Sequence, residues 1–192
     1  MGSASLYTCF VAAVGLLRLV EIRISHRRAR ALAARGVVTA AQPNPQWMVL
    51  VHVGILVGAV LEVRLVPRPL LPSLTLAMIG LFVGATALRW WVIRTLGPHW
   101  NLQIMDSLEL GVVSDGPYRW IRHPNAVAVF LEYLAIPLIH SAWLTAAVGA
   151  ACHAVVLRAR VAAEEHALMR RAAYQTTMGS KPRFLPRASA GP

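Results

Sequence analysis

The sequence predicts an all-α protein that crosses the membrane several times as one polytopic helical bundle. The 192 residues are 57% hydrophobic and only 14% charged, whereas a soluble domain contains about 25% charged residues. Apolar runs recur along the chain, several of them near the length of about 20 residues that spans hydrocarbon as a helix. The basic residues, which give a net charge of +11, lie beside those runs and form no continuous stripe, so a nucleic-acid partner is disfavoured.

Five apolar segments make up the predicted bundle. The first three, at about 6–24, 47–63 and 74–93, are predicted membrane helices. The last two, at about 126–139 and 142–157, are shorter, and Pro137 should bend or end the first of them. We interpret these two as a helical hairpin that is tilted or spans only part of the bilayer. The chain is therefore one domain, with three membrane helices in residues 1–95 and a loop, the hairpin and a tail in residues 96–192.

The placement of charge predicts the orientation in the membrane. With the N-terminus outside, 15 of the 19 Lys and Arg residues lie on the cytoplasmic side and Arg64 and Arg68 lie outside, while Arg18 and Arg89 lie within membrane segments. This excess agrees with the positive-inside rule, so most of the charge is explained by topology and by attraction to anionic lipid. The two cysteines lie in apolar segments and predict no disulfide framework. No cluster of Cys and His suggests a metal site.

The densest polar cluster is the predicted cytoplasmic loop 116–125, whose sequence is GPYRWIRHPN. Its Gly-Pro pair predicts a turn, and Pro124 should keep His123 out of helical conformation. Asn125 is then expected to cap the next helix, whose free N–H groups suit an anion. Two interpretations stay open: an interfacial anchor with aromatic and Arg side chains at the headgroups, or a ligand contact centred on His123.

A second polar cluster contains Arg160 and Glu164, at the expected cytoplasmic end of the last apolar segment. Side chains four residues apart share one face of a helix. The two could form an ordinary surface ion pair or could bind opposite ends of a polar ligand, with the guanidinium on an anion. His153 lies on roughly the same stripe and is expected to be a packed polar residue.

Glu132 places a carboxylate inside an apolar helix, where insertion costs roughly 2.5–3.5 kcal/mol. It should therefore face the bundle, stay protonated or find a partner. The candidate partners are His123, Arg119 and the helix of Glu164. Glu62, near the outer end of its segment, is expected to extend towards the interface. Arg18 and Glu21 are three residues apart and are expected to pair.

In this order the motifs resemble the isoprenylcysteine carboxyl methyltransferase family, which are polytopic membrane enzymes that use S-adenosylmethionine. The resemblance covers about residues 96–186, half of the chain. It rests on GPY at 116–118, RHPN at 122–125, Glu132, Pro137, RVxxEE at 160–165 and RFLP at 183–186. The pair Arg18 and Glu21, with the Arg-rich run that follows, is similar to bacterial members that methylate alkylpyrones or alkylresorcinols. A bacterial plasma membrane is the location this implies.

The resemblance implies a cytoplasm-facing cofactor pocket that is closed by the loop and the C-terminal helix. The residues expected around S-adenosylmethionine are Gln103, Leu110, Gly111, Val112, Val113, Tyr118, His123, Pro124, Asn125, Ala126 and Glu164. Arg160 matches the residue that orients the carboxylate of the acceptor. Ala126 departs from the family, which has Tyr there, so a ring contact to the cofactor at that position is lost while a backbone contact could remain.

We therefore expect an O-methyltransferase that needs no metal, with a lipidic acceptor entering from the bilayer. The expected catalytic residues are Arg160, His123 and Glu132. An ionised carboxylate or hydroxypyrone would only need Arg160 to hold it, whereas a resorcinol hydroxyl, with a pKa near 10, would need His123 or Glu132 as general base. An alkylpyrone or alkylresorcinol is favoured over a prenylcysteine. The alternatives are a phospholipid N-methyltransferase, a sterol-type reductase and a membrane scaffold or transporter.

Overall fold

A computed structural model shows the chain as a bundle of helices and describes residues 2–34, 38–39, 45–97, 100, 105–106 and 111–186. Within these ranges the helices are α1 (Ser3–Ala33), α2 (Pro45–Leu65), α3 (Pro72–Leu96), α4 (Pro124–Leu138), α5 (Trp143–Leu168) and α6 (Ala172–Met178). A 3₁₀ turn covers Gly116–Arg119, and two-residue strands β1 (Val38–Thr39) and β2 (Met105–Asp106) pair antiparallel. The predicted all-α class is confirmed.

Four of the described helices, α1, α2, α3 and α5, are long and apolar enough to cross a membrane. The predicted hairpin is present as α4 and α5, but only α4, at 15 residues, is short. The helix extends beyond the apolar segment predicted to end near residue 157, because α5 continues to Leu168, which agrees with the prediction that Arg160 and Glu164 share one helix face. Ala, Leu, Arg and Glu dominate that extension, and these residues favour helix in a polar environment as well. For the same reason α1 continues through the Arg-rich run to Ala33.

Helix α4 lies at the centre of the bundle and packs against α2, α3 and α5. The buried core combines side chains of α1, α2 and α4, among them Tyr7, Ile55 and Ile136. The Tyr7 hydroxyl also donates a hydrogen bond to the Ile136 carbonyl at 2.9 Å. Many large apolar side chains of the long helices point outward, as expected for surfaces that face lipid. The surrounding helices therefore keep the short α4 largely out of contact with lipid.

Helices α2 and α5 approach each other closely because small residues line their contact. A Cβ atom added at Gly149 would lie 2.7 Å from Ile55 Cγ1, and one at Gly58 would lie 3.3 Å from Thr145. Glycine at such positions lets two helices pack with their backbones near each other. This close packing places the polar side chains of α2 directly against those of α5.

Glu62 joins the end of α2 to the beginning of α5. Its carboxylate accepts hydrogen bonds from the backbone N–H groups of Leu144 (3.1 Å) and Thr145 (2.8 Å), and from the Thr145 hydroxyl (2.8 Å). It also pairs with Arg68 at 2.9 Å. The expectation that Glu62 extends towards the interface is therefore wrong. The free N–H groups of a helix N-terminus attract a carboxylate, and Glu62 supplies it from the neighbouring helix.

Candidate active site

The loop before α4 has the conformation that its prolines dictate. His123 has φ −125° and ψ 57°, outside the helical region, and Pro124 occupies the first turn of α4. His123 is therefore the residue that precedes the helix, and the expectation that Asn125 caps it is wrong. Pro at the first helical position loses no hydrogen bond there and favours this start. Pro137 lies in the last turn of α4, which agrees with its predicted role in ending the helix.

Gly116 holds this loop against the end of α3. Its φ of +54° belongs to the left-handed region, which glycine adopts without strain. A Cβ atom at this position would also lie within 2.4 Å of the Thr95 hydroxyl and 3.1 Å of the Trp91 indole nitrogen. Trp91 in turn makes an edge contact with Trp120, with 5.7 Å between the ring centroids. The loop is thus fixed on α3 before it enters α4.

Glu165 is the central charge of the site. Its carboxylate lies 3.1 Å from His123 Nε2 and 3.2 Å from Arg122 Nη1. It also accepts hydrogen bonds from Arg183, at 2.9 Å from Nε and 2.6 Å from Nη2. Since Glu165 is only 6% exposed, these partners together compensate a carboxylate removed from water. Glu165 connects α5 to both the loop and the tail.

The tail 181–186 lies directly on the loop. The backbone N–H groups of Arg122 and His123 donate hydrogen bonds to the carbonyls of Pro182 (2.9 Å) and Arg183 (3.0 Å). Lys181 Nζ donates to the Tyr118 carbonyl at 2.9 Å. Together with the Glu165 contacts, these bonds hold the loop, the end of α5 and the tail in one cluster.

Glu164 faces two tyrosines at the edge of this cluster. Burial raises the pKa of Tyr118 above its usual value, and the nearby Glu164 carboxylate adds to the effect. Burial and the same carboxylate raise the pKa of Tyr174, on α6, to about 12. Both phenols therefore keep their protons at neutral pH and remain hydrogen-bond donors. Glu164 itself is half-buried, so its carboxylate can meet a ligand beside these rings.

Two polar atoms in the cluster lack partners among the described residues. They are Asn125 Oδ1, an acceptor, and Arg122 Nε, a donor, and both are buried. A buried polar atom without a hydrogen bond is costly, so a polar ligand at this place would be stabilised by both. S-adenosylmethionine has an ammonium group, a carboxylate, ribose hydroxyls and an adenine ring. The donors, acceptors and aromatic rings of the cluster fit such a molecule.

The structure brings only some of the predicted cofactor residues together. Tyr118, His123, Asn125 and Glu164 belong to the cluster described above. Pro124 and Ala126 are buried in the first turn of α4, Gly111 is exposed, and Val112 and Val113 are half-buried. Gln103 and Leu110 lie outside the described residues. Arg160 is half-buried one turn before Glu164 on α5.

Glu132 belongs to a different cluster, deeper in the bundle. Its carboxylate accepts hydrogen bonds from Arg18 Nη2 (2.7 Å), Arg89 Nη1 (3.0 Å) and the Thr86 hydroxyl (2.9 Å). Glu21 accepts from Arg18 Nη1 at 2.8 Å, as predicted, and from Arg89 Nη2 as well. The expectation that Glu132 pairs with His123, Arg119 or the helix of Glu164 is therefore wrong. Two guanidiniums and two carboxylates form a closed ring that joins α1, α3 and α4, which we call the ion ring.

Sequence reasoning missed two of these charged residues. Arg89 lies in a predicted membrane segment, where an ionisable residue indicates a partner or a function. Glu165 enters the sequence analysis only as part of the motif RVxxEE, without a role of its own. A helix that presents Glu164 to one side places Glu165 about 100° away, so the two acids meet different elements.

Comparison with known proteins shows a match between part of this chain and one protein family. Residues 78–170 match the model of the isoprenylcysteine carboxyl methyltransferase family, which confirms the resemblance seen in the motifs. The uncharacterized protein YpbQ of Bacillus subtilis is 26% identical over 163 residues, covering 85% of this chain and 96% of that protein. An uncharacterized protein of Haemophilus influenzae is 26% identical over 165 residues, covering 84% of this chain and 92% of that protein.

Proposed function

We propose that this chain, whose residues 78–170 match the isoprenylcysteine carboxyl methyltransferase family and whose described helices include four able to cross a membrane, is a multi-pass integral membrane methyltransferase. In this proposal it uses S-adenosylmethionine to methylate an oxygen atom of a lipidic acceptor. The acceptor we favour is an alkylpyrone or alkylresorcinol, with the carboxylate of an isoprenylcysteine as the second candidate. The cluster of loop, α5 end and tail is the proposed cofactor site. It would face the cytoplasm of a bacterial cell, since this orientation leaves most basic residues inside.

One observation supports the proposed cofactor site most strongly: the Glu164 carboxylate lies near Tyr118 and Tyr174. In the same cluster, the buried Asn125 Oδ1 has no partner among the described residues. Glu164 supplies a negative charge for a cationic ligand. The two protonated phenols supply donors and rings, and Asn125 supplies an acceptor. Such a set binds a molecule that is polar, partly cationic and aromatic.

Each residue of the cluster has a role in binding or positioning. Glu165 holds His123 and Arg183, so the loop and tail keep their places around the ligand. Arg160, one turn into the membrane from Glu164, would hold the anionic end of the acceptor. When bound, S-adenosylmethionine supplies an electrophilic methyl group. The chain then aligns the acceptor oxygen with that group and excludes water, which accounts for much of the acceleration of such displacements.

The experiment that tests this proposal is a calorimetric titration of the purified protein with S-adenosylhomocysteine. We expect saturable binding to the wild type. In Glu164→Ala the affinity for S-adenosylhomocysteine should fall about 10- to 100-fold, because a hydrogen bond to a charged group is lost. His166→Ala, an exposed change on the same helix, is the matched control and should bind normally. If the wild type shows no saturable binding, the proposed methyl donor is wrong. A thin-layer assay with labelled methyl donor then compares an alkylpyrone, an alkylresorcinol and a prenylcysteine as acceptors.

A further inference from the structure

The outward face of α1 is apolar in the middle of the helix and basic in its last third. The apolar part consists of three side chains that are 50% to 64% exposed: Leu16, Leu19 and Val20. The basic part consists of three exposed side chains: Arg23, Arg27 and Arg30. At about 100° per residue, all six lie within about 100° of one another around the helix. We call the three basic residues the arginine column.

The opposite face of α1 is buried, and this fixes the direction in which the arginine column points. Ser25 and Leu32 lie on that opposite face and are 0% and 6% exposed. Arg28 lies on the same side, and its Nη1 donates a hydrogen bond to the Gly97 carbonyl at 2.9 Å. The Arg28 guanidinium also lies 5.5 Å from the centre of the Trp100 ring. These contacts hold the last third of α1 against the end of α3, so the column points away from the bundle.

The length of α1 places the arginine column at the membrane surface. The helix has 31 residues, which at 1.5 Å per residue gives about 46 Å, whereas the hydrocarbon core is about 30 Å thick. Counted from Ser3, about 20 residues fill that thickness, and Arg23 follows directly after them. Arg27 and Arg30 lie about 6 and 10 Å further along the helix. The first two arginines therefore lie among the headgroups and the third lies at their aqueous edge.

A phospholipid has the same order of apolar and charged parts as this face of α1. Its acyl chain would lie on Leu16 and Leu19, and its phosphate would meet Arg23 and Arg27, since guanidinium groups bind phosphate through paired N–H donors. Glu21, the one acid of α1, is buried on the other side in the ion ring and does not offset the column. A soluble acidic protein or a nucleic acid would match the arginines but not the apolar part beside them. Charge and continuity with the apolar face therefore select a membrane lipid.

We propose that the arginine column is a binding site for an anionic phospholipid of the membrane, separate from the proposed cofactor site and independent of methyl transfer. Arg23 and Arg27 hold the phosphate, and Arg30 adds positive charge at the aqueous edge. A lipid with two phosphates engages both arginines at once, because their backbone positions are about 6 Å apart along the helix. Binding is therefore strongest for a two-phosphate lipid and weakest for a zwitterionic one. It also weakens as salt screens the charges.

The experiment measures lipid binding to the purified full-length chain in neutral detergent micelles by native mass spectrometry. The probes are phosphatidylglycerol, the two-phosphate lipid diphosphatidylglycerol and zwitterionic phosphatidylcholine. The wild type should bind phosphatidylglycerol at least about tenfold more tightly than phosphatidylcholine. Each arginine near anionic lipid contributes about fivefold in affinity, so removal of the whole column should weaken phosphatidylglycerol binding about 100-fold. The variant that removes it combines three changes: Arg23→Gln, Arg27→Gln and Arg30→Gln.

The matched control removes the same charge from three separate exposed positions, so it distinguishes the column from the overall charge of the protein. It combines Arg94→Gln, Arg158→Gln and Arg170→Gln. This control should keep the preference for phosphatidylglycerol. Both triple variants should bind S-adenosylhomocysteine as the wild type does. If the column variant does not fold, Arg27→Gln alone replaces it and should bind phosphatidylglycerol about fivefold more weakly.

Competition separates a lipid from a soluble anion. Glycerol phosphate and a short single-stranded RNA have phosphates but no acyl chain, and at about 0.15 M salt neither should displace phosphatidylglycerol. Displacement by either probe would overturn the inference. Equal affinity of the wild type for phosphatidylglycerol and phosphatidylcholine, or an equal loss in the two triple variants, would overturn it as well. A failure of S-adenosylhomocysteine to bind would remove the proposed function and leave this lipid site standing.

Discussion

The ion ring predicts that removal of one carboxylate destabilises the bundle strongly. Glu132 is fully buried, and its negative charge partly balances the positive charges of two guanidinium groups, at 2.7 Å from Arg18 and 3.0 Å from Arg89. The change Glu132→Gln keeps the shape but leaves two cations facing only Glu21. Breaking a buried ion pair by removing one partner costs about 3–5 kcal/mol. At 1.36 kcal/mol per factor of ten, the unfolded fraction should rise about 10²- to 10⁴-fold.

The assay is unfolding in mixed micelles with increasing detergent denaturant, followed by circular dichroism. Asp115→Asn, which makes the same chemical change at an exposed loop position, should alter stability by no more than about 0.5 kcal/mol. The double variant Glu132→Gln with Arg89→Gln removes one charge of each sign and leaves Arg18 paired with Glu21. Its loss should therefore be smaller than the sum of the two single losses, by about 1–3 kcal/mol.

The double variant also decides whether this reasoning is correct. If the two single losses simply add, Glu132 and Arg89 do not stabilise each other and the ion ring has no energetic meaning. If Glu132→Gln is as stable as the wild type, the Glu132 carboxylate does not stabilise the bundle through its contacts with the two guanidiniums.

Two further predictions concern the cluster formed by the loop 116–125, the end of α5 and the tail. Glu165→Gln removes the charge that holds His123 and Arg183, so the tail should detach from the loop. Trypsin should then cleave at Arg183 several-fold faster, as measured by mass spectrometry. An unchanged cleavage rate would show that the backbone hydrogen bonds alone hold the tail. The native state keeps the Tyr174 proton up to a pKa of about 12, above the value near 10 in an unfolded chain. The stability gained is complete below pH ~10 and is lost as the pH rises towards 12, because the native state then binds more protons than the unfolded chain. Tyr174→Phe should make this alkaline decline shallower, and an equal slope in both proteins would contradict the assignment.

Local features of the structure follow from the sequence. Hydrophobic runs predict the long helices because the requirement to satisfy backbone groups in lipid acts on each segment separately. Arg18 and Glu21 pair as predicted because they lie one turn apart on the same helix. The turn at Gly116 and the start of α4 after His123 depend on Gly and Pro at fixed positions. In each case the determining residues are close together in the chain.

Contacts between helices could not be predicted in the same way. Glu132 meets Arg89 and Arg18, which are 43 and 114 residues away, and Glu62 meets Thr145, 83 residues away. A helix that is apolar on all sides gives no periodic signal for the face that turns inward. The sequence therefore showed that Glu132 needed a partner but not which helix would supply it. The same limit applies to His52 and His153, whose rings meet although they are 101 residues apart.

The glutamates of the bundle fall into two kinds: those that hold elements of the fold together and one that is available to a ligand. Glu21 and Glu132 are both used within the ion ring, Glu62 is used at the start of α5, and Glu165 is used between the loop and the tail. Each of these four joins separate elements of the fold. Glu164 differs, because it faces the rings of Tyr118 and Tyr174 and keeps part of its surface exposed. A carboxylate in that position contributes less to holding helices together than to binding a cation. For that reason the loss of stability should follow Glu132, whereas the loss of donor binding should follow Glu164.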